Sequence, residues 1–273
     1  MERNPTAVAR VSGVCYFSGM LPMGSYWHYV LGALGQRTPW PRTMVAYYTG
    51  HLGKYVPGKA MVVVIRTALL KTEMTHTALI AVSVFIETFM MMAVGAGLAT
   101  ALIAWQFSQH HFLLVLGIAL TALSSIPTWP PLVRQAVKIL KLAKDDTEVE
   151  AALDGYTWEV MVVGWISELS GWVLIGFSLW CVMCALPLSP PLDSAWSLWP
   201  RLTASTSLSM VAGFLSLLPG GLGVRELVLN ELLKPQFGAV VAPLAAVLLR
   251  AVWLVTELIV SSILYLGWRL TQR

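Results

Sequence analysis

The sequence predicts an all-α polytopic membrane protein, and two observations carry this prediction. Of its 273 residues, 57% are hydrophobic and only 12% are charged, which is about half the charged fraction of a soluble domain. Four long stretches hold at most one charged residue each: 78–104, 160–192, 202–224 and 255–268. Each is near or above the roughly 20 residues that a helix needs to cross the hydrocarbon core. The sequence lacks the alternation of apolar and polar residues, in segments of about ten residues per strand, that is typical of a transmembrane β-barrel.

In the first half of the chain, a span is predicted near 11–34, and a broken segment follows over 43–70. A long span over 76–106 and a shorter one over 111–128, ended by Trp-Pro-Pro, complete this half. The only long hydrophilic stretch, 132–157, is predicted to be a loop with a short amphipathic helix.

In the second half, a span over 158–186 leads through a Pro/Ser-rich turn, LPLSPPLDSAW, into an interrupted segment over 202–233. A last span is predicted over 239–268. The prediction is therefore a single integral membrane domain, 1–273, with about five full spans and two re-entrant or broken helical hairpins.

Basic residues orient these elements. The central loop and the C-terminus both carry them: Arg134, Lys138, Lys141, Lys144, Arg269 and Arg273. Both regions are therefore predicted to be cytoplasmic in a multi-pass protein of the cell inner membrane. If all three apolar segments between the central loop and the C-terminus crossed the membrane, these two regions would lie on opposite sides of it. They lie on the same side if 202–233 enters and leaves the membrane by the same face. Counting membrane crossings from the central loop back towards the N-terminus requires 43–70 to be re-entrant as well, from the opposite face. The N-terminus then lies outside.

The two breaks resemble each other. GHLGKYVPGKAMVVVIR (50–66) and SLLPGGLGVRELV (216–228) each place Pro-Gly between apolar runs and continue with basic residues. Interrupted hydrophobic segments at matching positions of two halves indicate a binding site between inverted repeats. We therefore predict pseudo-repeat halves over about 11–128 and 158–268, joined by a cytoplasmic loop over 129–157.

The breaks also supply the chemistry of an anion site. Pro57 and Pro219 each leave a carbonyl without its helical donor. The glycines permit tight turns and close backbone approach: Gly58, Gly220, Gly221 and Gly223. A helix that restarts at Leu222 would aim free N–H groups at the turn, where a phosphate could bind. Four cations would complete this substrate-binding site: Lys54, Lys59, Arg66 and Arg225. The alternative for Lys54 and Lys59 is snorkelling to the lipid headgroups.

Two glutamates lie inside predicted spans, where a charge needs a partner or a wet cavity. Glu87 forms one wall of a polar cavity or is a protonated carboxyl bonded to a neighbouring helix. Glu168 shares a helical face with Trp residues at seven-residue spacing (158, 165 and 172). That face either packs against another helix or lies beside a lipid headgroup.

The last span places Arg250, Trp253 and Glu257 on one face. Arg250 and Glu257 are two turns apart, roughly 10 Å by helix rise, so they cannot pair with each other in a straight helix. Each needs a partner elsewhere, and Arg225–Glu226 is the candidate. The alternatives are a structural salt-bridge cluster and a ligand site, which are compatible.

Several functional classes find no support in the sequence. The three cysteines do not form a disulfide framework, and the five histidines show no metal-ligand spacing. GGLGVRE lacks the third glycine and the preceding strand of a dinucleotide fingerprint. The formal charge of +4 is explained by loop placement and does not indicate nucleic acid. No nucleophile-and-base constellation stands out, so we expect no enzyme activity, no metal and no cofactor.

GHLGKYVPGK followed by a span with a glutamate, and LLPGGLGVRE followed by a span of the form R-x-x-W-x-x-x-E, carry a family resemblance. They resemble the transmembrane, flippase-like domain of lysylphosphatidylglycerol synthases and its stand-alone relatives, over about residues 26–268. The resemblance implies a polytopic inner-membrane protein with re-entrant helices that moves or handles anionic or isoprenoid-linked lipids. By motif match, it implies these functional residues: Lys54, Tyr55, Pro57, Gly58, Glu87, Gly220, Gly221, Gly223, Arg225, Glu226, Arg250 and Glu257.

The bifunctional members of that family carry a soluble aminoacyl-transfer domain after the last span, where this chain ends, so we expect no lipid aminoacylation. Three hypotheses follow. The first is a flippase for a lipid with an anionic or isoprenoid phosphate headgroup. The second is a membrane partner, or an embedded enzyme, of lipid-linked glycan or envelope-lipid synthesis, working with a glycosyltransferase. The third is a scaffold whose buried charges are structural.

Overall fold

The structure is a computed structural model that describes residues 5–56, 60–106, 111–139, 147–186 and 195–271. These residues form ten α-helices and no strand, which confirms the all-α fold class. The first half contains α1 (Pro5–Ala33), α2 (Trp40–His51), α3 (Ala60–Leu70), α4 (Thr77–Gln106) and α5 (His111–Ser125). The second half contains α6 (Pro130–Ile139), α7 (Thr147–Leu153), α8 (Trp158–Ala185), α9 (Ala195–Leu215) and α10 (Val224–Thr271).

The predicted central loop contains two short helices, α6 and α7, where the sequence predicted one. The predicted span over 111–128 ends as an α-helix at Ser125, and a 3₁₀ turn continues it to Thr128 because Pro127 cannot extend the α-helical hydrogen bonding. The predicted turn LPLSPPLDSAW lies mostly outside the described residues.

The first broken segment is a helical hairpin made of α2, a 3₁₀ turn over Leu52–Tyr55, and α3. Its two outer ends lie side by side, since Arg42 Nε donates to the carbonyl of Leu69 at 2.9 Å and Arg42 Nη2 donates to that of Lys71 at 3.3 Å. The chain therefore enters and leaves this hairpin at the same end of the helix bundle. Residues 57–59 of its turn lie outside the described residues.

The second broken segment is a hairpin made of α9, a 3₁₀ turn over Pro219–Gly221, and the first part of α10. Gly238, with φ 80° and ψ 170°, separates this arm of α10 from the last helix, 239–271. The outer ends of the hairpin are again adjacent, because Arg201 Nη1 donates to Gln236 Oε1 at 3.3 Å. Both interrupted segments are therefore hairpins, as the sequence predicted.

The two hairpins open at opposite ends of the last helix. The second hairpin leads into the start of that helix at Gly238. The first hairpin opens near its end, where the guanidinium of Arg42 lies 5.9 Å from the ring centroid of Trp268. The two turns meet inside the bundle, and a Cβ on Gly220 would lie 3.1 Å from Tyr55 Cδ1. This arrangement is the inverted one that loop charges predicted for the hairpins.

The turn of the second hairpin depends on its glycines. Gly220, Gly221 and Gly223 have φ values of 58°, 65° and 82°, which are disfavoured for residues with a Cβ. A Cβ on Gly221 would also lie 2.8 Å from the Cα of Gly213 in the opposite arm. The new helix begins at Val224, two residues later than the predicted restart at Leu222, because these glycines keep the chain out of the helical region.

Close packing of α1 against α8 forms the centre of the bundle. A Cβ on Gly19 would lie 2.9 Å from the carbonyl oxygen of Gly171, and a Cβ on Gly171 would lie 2.6 Å from that of Gly19. Small residues that let backbones approach are typical of helix contacts in membranes. The close approach of the two backbones holds α8 against α1, the helix that precedes the first hairpin.

The last helix carries its polar residues inwards and its apolar residues outwards. Glu257 and Ser261 are buried, whereas Val255, Ile259 and Ile263 are more than half exposed. This distribution suits a lipid environment, in which exposed apolar side chains carry no penalty. Within the described residues, three segments are long and apolar enough to cross a membrane: Thr77–Leu102, Trp158–Ala185 and Pro219–Thr271. The count of five full spans remains a prediction.

Candidate functional site

A cavity of about 330 Å³ lies where the two hairpins meet α4. Most of its wall is apolar, with side chains such as Val63, Phe85 and Met210. The charged or titratable side chains that reach it are His51, Lys54, Arg66, Glu87 and Arg225. A mostly apolar cavity with a few convergent polar groups is the usual form of a small-ligand site.

A fully enclosed ion pair joins the first hairpin to α4. Arg66 Nη1 lies 2.7 Å from Glu87 Oε2, and the hydroxyl of Tyr47 donates to Glu87 Oε1 at 3.1 Å. The guanidinium of Arg66 also lies over the rings of Tyr47 and Trp27, at 4.3 Å and 4.8 Å from their centroids. The charge of Arg66 is therefore neutralised and held in place inside the protein.

His51 is neutral in this arrangement. Its Nδ1 lies 3.3 Å from Arg66 Nη2, and a guanidinium can only donate hydrogen bonds. The imidazole nitrogen must therefore accept, which leaves its proton on Nε2. His51 adds a polar group to the cavity without adding a positive charge.

Glu257 is the centre of a second ion-pair cluster, in the last helix. Lys54 forms a salt bridge to its Oε1, and the hydroxyl of Tyr16 donates to the same oxygen. Tyr55 donates to Oε2 at 3.0 Å. The prediction that Glu257 pairs with Arg225 is wrong, since Lys54 of the opposite hairpin is its basic partner. Lys54 does not snorkel to the lipid headgroups, because its side chain is only 15% exposed and is bound to this glutamate.

Trp253 fixes the last helix against α1 and α8. Its ring stacks on that of Tyr16 with the centroids 4.6 Å apart, and its Nε1 donates to Ser178 Oγ at 2.9 Å. Trp253 thus positions Tyr16 and the neighbouring Glu257, and it does not line the main cavity in the described residues.

Glu226 connects the second turn to the last helix. Its Oε1 forms a salt bridge to Arg250, which confirms the predicted link between these two segments. Its Oε2 accepts the backbone N–H of Gly223 at 2.7 Å. This carboxylate therefore occupies one of the free amides that the sequence assigned to an incoming phosphate, and it caps the helix electrostatically.

Arg225 differs from the other cations of the site. Within the described ranges it forms no salt bridge, whereas Lys54, Arg66 and Arg250 each do. Its Nε, like that of Arg66, is buried without a hydrogen-bond partner among the described residues. Its side chain reaches the cavity beside Gly213 and Gly221.

The charged side chains that the structure describes around the two turns are four cations and three carboxylates: Lys54, Arg66, Arg225, Arg250, Glu87, Glu226 and Glu257. Each carboxylate pairs with one cation. One positive charge, that of Arg225, is left over at the cavity wall. An arrangement with one unneutralised guanidinium can accept a single anionic group, and a planar guanidinium matches the geometry of a phosphate.

Glu168 lies apart from this cavity, within the bundle. Its side chain is completely buried, and it is absent from the cavity lining among the described residues. The predicted tryptophan face is divided: Trp158 is half exposed, whereas Trp172 is buried and donates to the carbonyl of Met91 at 3.1 Å. Trp172 therefore packs against another helix, α4, which is the first of the two alternatives given for this face.

The structure thus gathers most of the predicted site residues around the two turns, while Glu168 lies apart. Pro57, Gly58 and Lys59 lie outside the described residues. Sequence reasoning missed Tyr16, Tyr47 and His51, whose side chains bond to Glu257, Glu87 and Arg66. Only His51 carried a signal, because it lies inside the GHLGK motif. The described part of the chain contains no group of three or more His, Cys, Asp or Glu residues that could hold a metal ion.

The fold and site define a class: an all-α membrane protein in which two helical hairpins, inserted from opposite ends of the bundle, meet at a mostly apolar cavity with a few charged side chains in its wall. The family model described as lysylphosphatidylglycerol synthase TM region matches residues 5–261. The chain belongs to this family, as the two motifs predicted. A comparison with curated proteins finds no match.

Proposed function

We propose that this chain is a lipid flippase that moves an anionic or isoprenoid-phosphate-linked lipid across the cytoplasmic membrane. The observation that carries the proposal is Arg225 at the wall of a largely apolar cavity, with no salt bridge and an unbonded Nε in the part of the chain that the structure describes. In a low-dielectric site, a guanidinium binds a phosphate through strong, charge-assisted hydrogen bonds. Membership of a membrane-protein family that includes flippase-like domains supports the same role.

The size of the cavity suits a headgroup better than a whole lipid. At about 330 Å³ it is near the lower limit for small-molecule sites, roughly 300 Å³. Phe85 and Leu217 belong to the cavity lining and are 50% and 75% exposed. The phosphate would bind Arg225 inside, while the acyl or isoprenoid chains pass these apolar side chains into the bilayer.

The proposed role is transport without a covalent step, in the inner membrane, with the loop over 129–157 and the C-terminus in the cytoplasm. The buried ion pairs Arg66–Glu87 and Lys54–Glu257 would hold the hairpins in place, and Arg225 would hold the ligand. A glycosyltransferase that uses the transported lipid is the proposed partner class.

The test is leaflet exchange in vesicles that contain the purified protein. Fluorescent phosphatidylglycerol and phosphatidylcholine, matched in chains and label, are reduced from outside by a membrane-impermeant quencher. We expect the protein to accelerate exchange of phosphatidylglycerol and not of phosphatidylcholine, because only the former carries a net negative charge. Arg225→Ala should lose most of this acceleration, and Arg225→Lys should keep part of it.

Arg201→Ala is the matched control, since Arg201 lies in the same hairpin and does not line the cavity. It should exchange phosphatidylglycerol at the wild-type rate. Equal rates for wild type and Arg225→Ala would refute the proposed role of Arg225. Equal rates for the two lipids would refute selectivity for an anion.

A further inference from the structure

A second cavity, of about 410 Å³, lies between α1, α2 and the last helix. Its described lining is mostly apolar and includes no charged side chain, and it shares no lining residue with the main cavity in the part of the chain that the structure describes. We call this cavity the terminal groove, because it lies at the C-terminal end of the last helix. It is a separate site from the cavity that contains Arg225.

The terminal groove is long and narrow in its direction along the helices. On α2 its lining runs from Trp40 to Tyr48, and on the last helix it runs from Thr271 back to Ile263. Each stretch covers a length of about 12 Å at the rise of an α-helix. The guanidinium of Arg42 lies 5.9 Å from the ring centroid of Trp268, so the two stretches begin at the same end of the bundle. An extended apolar groove of this kind matches a hydrocarbon chain.

The inner end of the terminal groove is held in a fixed form by contacts among its three helices. The ring of Tyr48 stacks on that of Phe17 with the centroids 5.2 Å apart, and its hydroxyl donates to the carbonyl of Phe17 at 3.0 Å. Ser261 Oγ donates to the carbonyl of Tyr48 at 3.0 Å. The groove is therefore preformed. Its apolar wall gains dispersion contacts when a hydrocarbon chain fills it.

Aromatic side chains mark the level of the membrane at the mouth of the groove. Trp40 is 45% exposed there, and the rings of Trp268 and Tyr265 lie 6.0 Å apart on the last helix. Trp and Tyr are enriched at the depth of the lipid headgroups. The groove therefore extends from the headgroup level into the hydrocarbon, as a bound lipid does.

The described segments that meet at this mouth are the loop before α2 with its first residues, the loop after α3 and the end of the last helix. They carry four cations and a single carboxylate: Arg37, Arg42, Lys71, Arg269 and Glu73. Within the described residues none of them forms a salt bridge.

Arg42 is the cation that the structure holds in place at the mouth. Its Nε and Nη2 donate to the carbonyls of Leu69 and Lys71, whereas its Nη1 has no hydrogen-bond partner in the described ranges. A guanidinium fixed in this way, with a free N–H group and an excess of positive charge around it, is complementary to a phosphate.

We propose that the terminal groove binds an anionic glycerophospholipid, with one acyl chain in the groove and the phosphate on Arg42. Basic pockets between transmembrane helices on the cytoplasmic side bind such headgroups, and this end of the bundle is cytoplasmic in the proposed topology. The lipid joins the first hairpin to the last helix and is not the transported one, because the two cavities are separate. The inference therefore goes beyond the proposed transport and does not depend on it.

The experiment uses photo-crosslinking in phosphatidylcholine vesicles that contain the purified full chain. The probe is phosphatidylglycerol with a diazirine in one acyl chain, and mass spectrometry of peptides locates its adducts. We expect adducts on residues 40–48 and 263–271. Unlabelled phosphatidylglycerol should displace the probe from these segments, and extra phosphatidylcholine should not, because only the former carries a net negative charge.

Ile263→Trp tests the groove, since a larger side chain at this lining position occupies the space of the acyl chain. It should lose most of the labelling of both segments. Leu266→Trp is the matched control and should label as the wild type does. Leu266 lies on the same helix and is 61% exposed, against 64% for Ile263, but it is outside the described lining of the groove.

Arg42→Gln tests the headgroup contact, because glutamine can still donate to a carbonyl but carries no charge. Displacement of the probe by phosphatidylglycerol should weaken about fivefold, as expected for the loss of one cation near an anionic lipid. Arg201→Gln is the control for charge and should leave displacement unchanged, since Arg201 lies at the outer end of the other hairpin.

The remaining outcomes decide against the inference. Adducts spread evenly over the exposed apolar faces, or equal displacement by the two lipids, would mean ordinary contact with the bilayer and would overturn it. Adducts confined to the main cavity, near Phe85 and Met210, would overturn it and leave the proposed function standing. Labelling of the groove in a protein that does not accelerate leaflet exchange would support the groove and refute the proposed transport.

Discussion

Arg66 and Arg225 occupy matching positions in the two hairpins. Each lies in the second arm and lays its side chain across a glycine of the first arm, Gly50 or Gly213. A Cβ on Gly50 would lie 3.2 Å from Arg66 Nε, and a Cβ on Gly213 would lie 2.9 Å from Arg225 Nε. The shared construction supports the predicted repeat. The two arginines differ in their partners, since Arg66 is paired with Glu87 whereas Arg225 forms no salt bridge within the described residues.

The first prediction concerns the glycine that supports Arg225. Gly213→Ala places a methyl group against the stem of Arg225 and close to Gly221 of the turn, so the guanidinium must move. We expect transport of fluorescent phosphatidylglycerol to fall by about tenfold, a loss of roughly 1.4 kcal/mol in binding the phosphate. Leaflet exchange in vesicles measures this.

Gly267→Ala is the control for Gly213→Ala. A Cβ on Gly267 meets nothing within 4 Å, so this variant should transport at the wild-type rate. In a helix interior, alanine is favoured over glycine by about 1 kcal/mol, so its thermal stability should be equal or slightly higher. Normal transport by Gly213→Ala would show that the position of Arg225 is unimportant.

The second prediction concerns the buried Arg66–Glu87 pair, which joins the first hairpin to α4. Arg66→Met leaves Glu87 without its cation, and Glu87→Leu leaves Arg66 without its anion, so each should destabilise the protein by about 3–5 kcal/mol. The double variant removes both charges and should recover most of that loss, because two apolar side chains of similar size replace the pair. Thermal unfolding in detergent, followed by circular dichroism, measures all three.

Recovery of stability separates the roles of this pair. If the double variant is stable and still transports, the pair is structural, as the scaffold hypothesis states. If it is stable and inactive, the pair also takes part in handling the lipid. A double variant as unstable as the sum of the single ones would contradict the assignment of Arg66 and Glu87 as direct partners.

Sequence reasoning located the two breaks correctly because Pro-Gly interrupts an apolar run, and local chemistry alone makes that a turn. It also predicted that the hairpins enter from opposite sides, as they do in the helix bundle, because loop charges constrain how often the chain crosses the membrane. The partner of Glu257 could not be found in this way. Lys54 is 203 positions away, and only the three-dimensional meeting of the two hairpins brings it to Glu257 instead of the nearer Arg225.

The tyrosines of the site show a second limit of the sequence. Tyr16 and Tyr47 are completely buried and donate hydrogen bonds to buried glutamates. In the sequence, however, a tyrosine within a long apolar segment looks the same whether it only packs or also donates a hydrogen bond. Its hydroxyl acquires a role only from the acceptor opposite it. The restart at Val224 was missed for a local reason, because three turn glycines with positive φ, Gly220, Gly221 and Gly223, delay the helix.

The third prediction separates the two candidate partners of Glu257. A double-mutant cycle between Lys54→Met and Glu257→Gln should give a coupling energy of about 0.5–3 kcal/mol in thermal stability, the range for residues in contact. The cycle between Arg225→Met and Glu257→Gln should give a smaller value, since these two form no salt bridge in the described structure. A larger coupling for Arg225 than for Lys54 would reverse this assignment.

The fourth prediction concerns the re-entrant path of the first hairpin. Arg37 precedes α2 and Thr72 follows α3, and the backbone N–H of His76 donates to Gln36 Oε1 at 2.7 Å, so both ends lie together. In a variant with Cys15, Cys181 and Cys184 replaced by alanine, Arg37→Cys and Thr72→Cys should both react with a membrane-impermeant maleimide from the cytoplasmic side only.

Asn230 provides the reference for this labelling. It lies in the arm of the second hairpin, which opens at the other end of the bundle, so Asn230→Cys should not share the cytoplasmic labelling of the first hairpin's ends. Reaction of Arg37→Cys and Thr72→Cys from opposite sides would mean that 43–70 crosses the membrane. That outcome would remove the basis for placing Lys54 and Arg225 at one cavity, because the two turns could no longer enter from opposite faces.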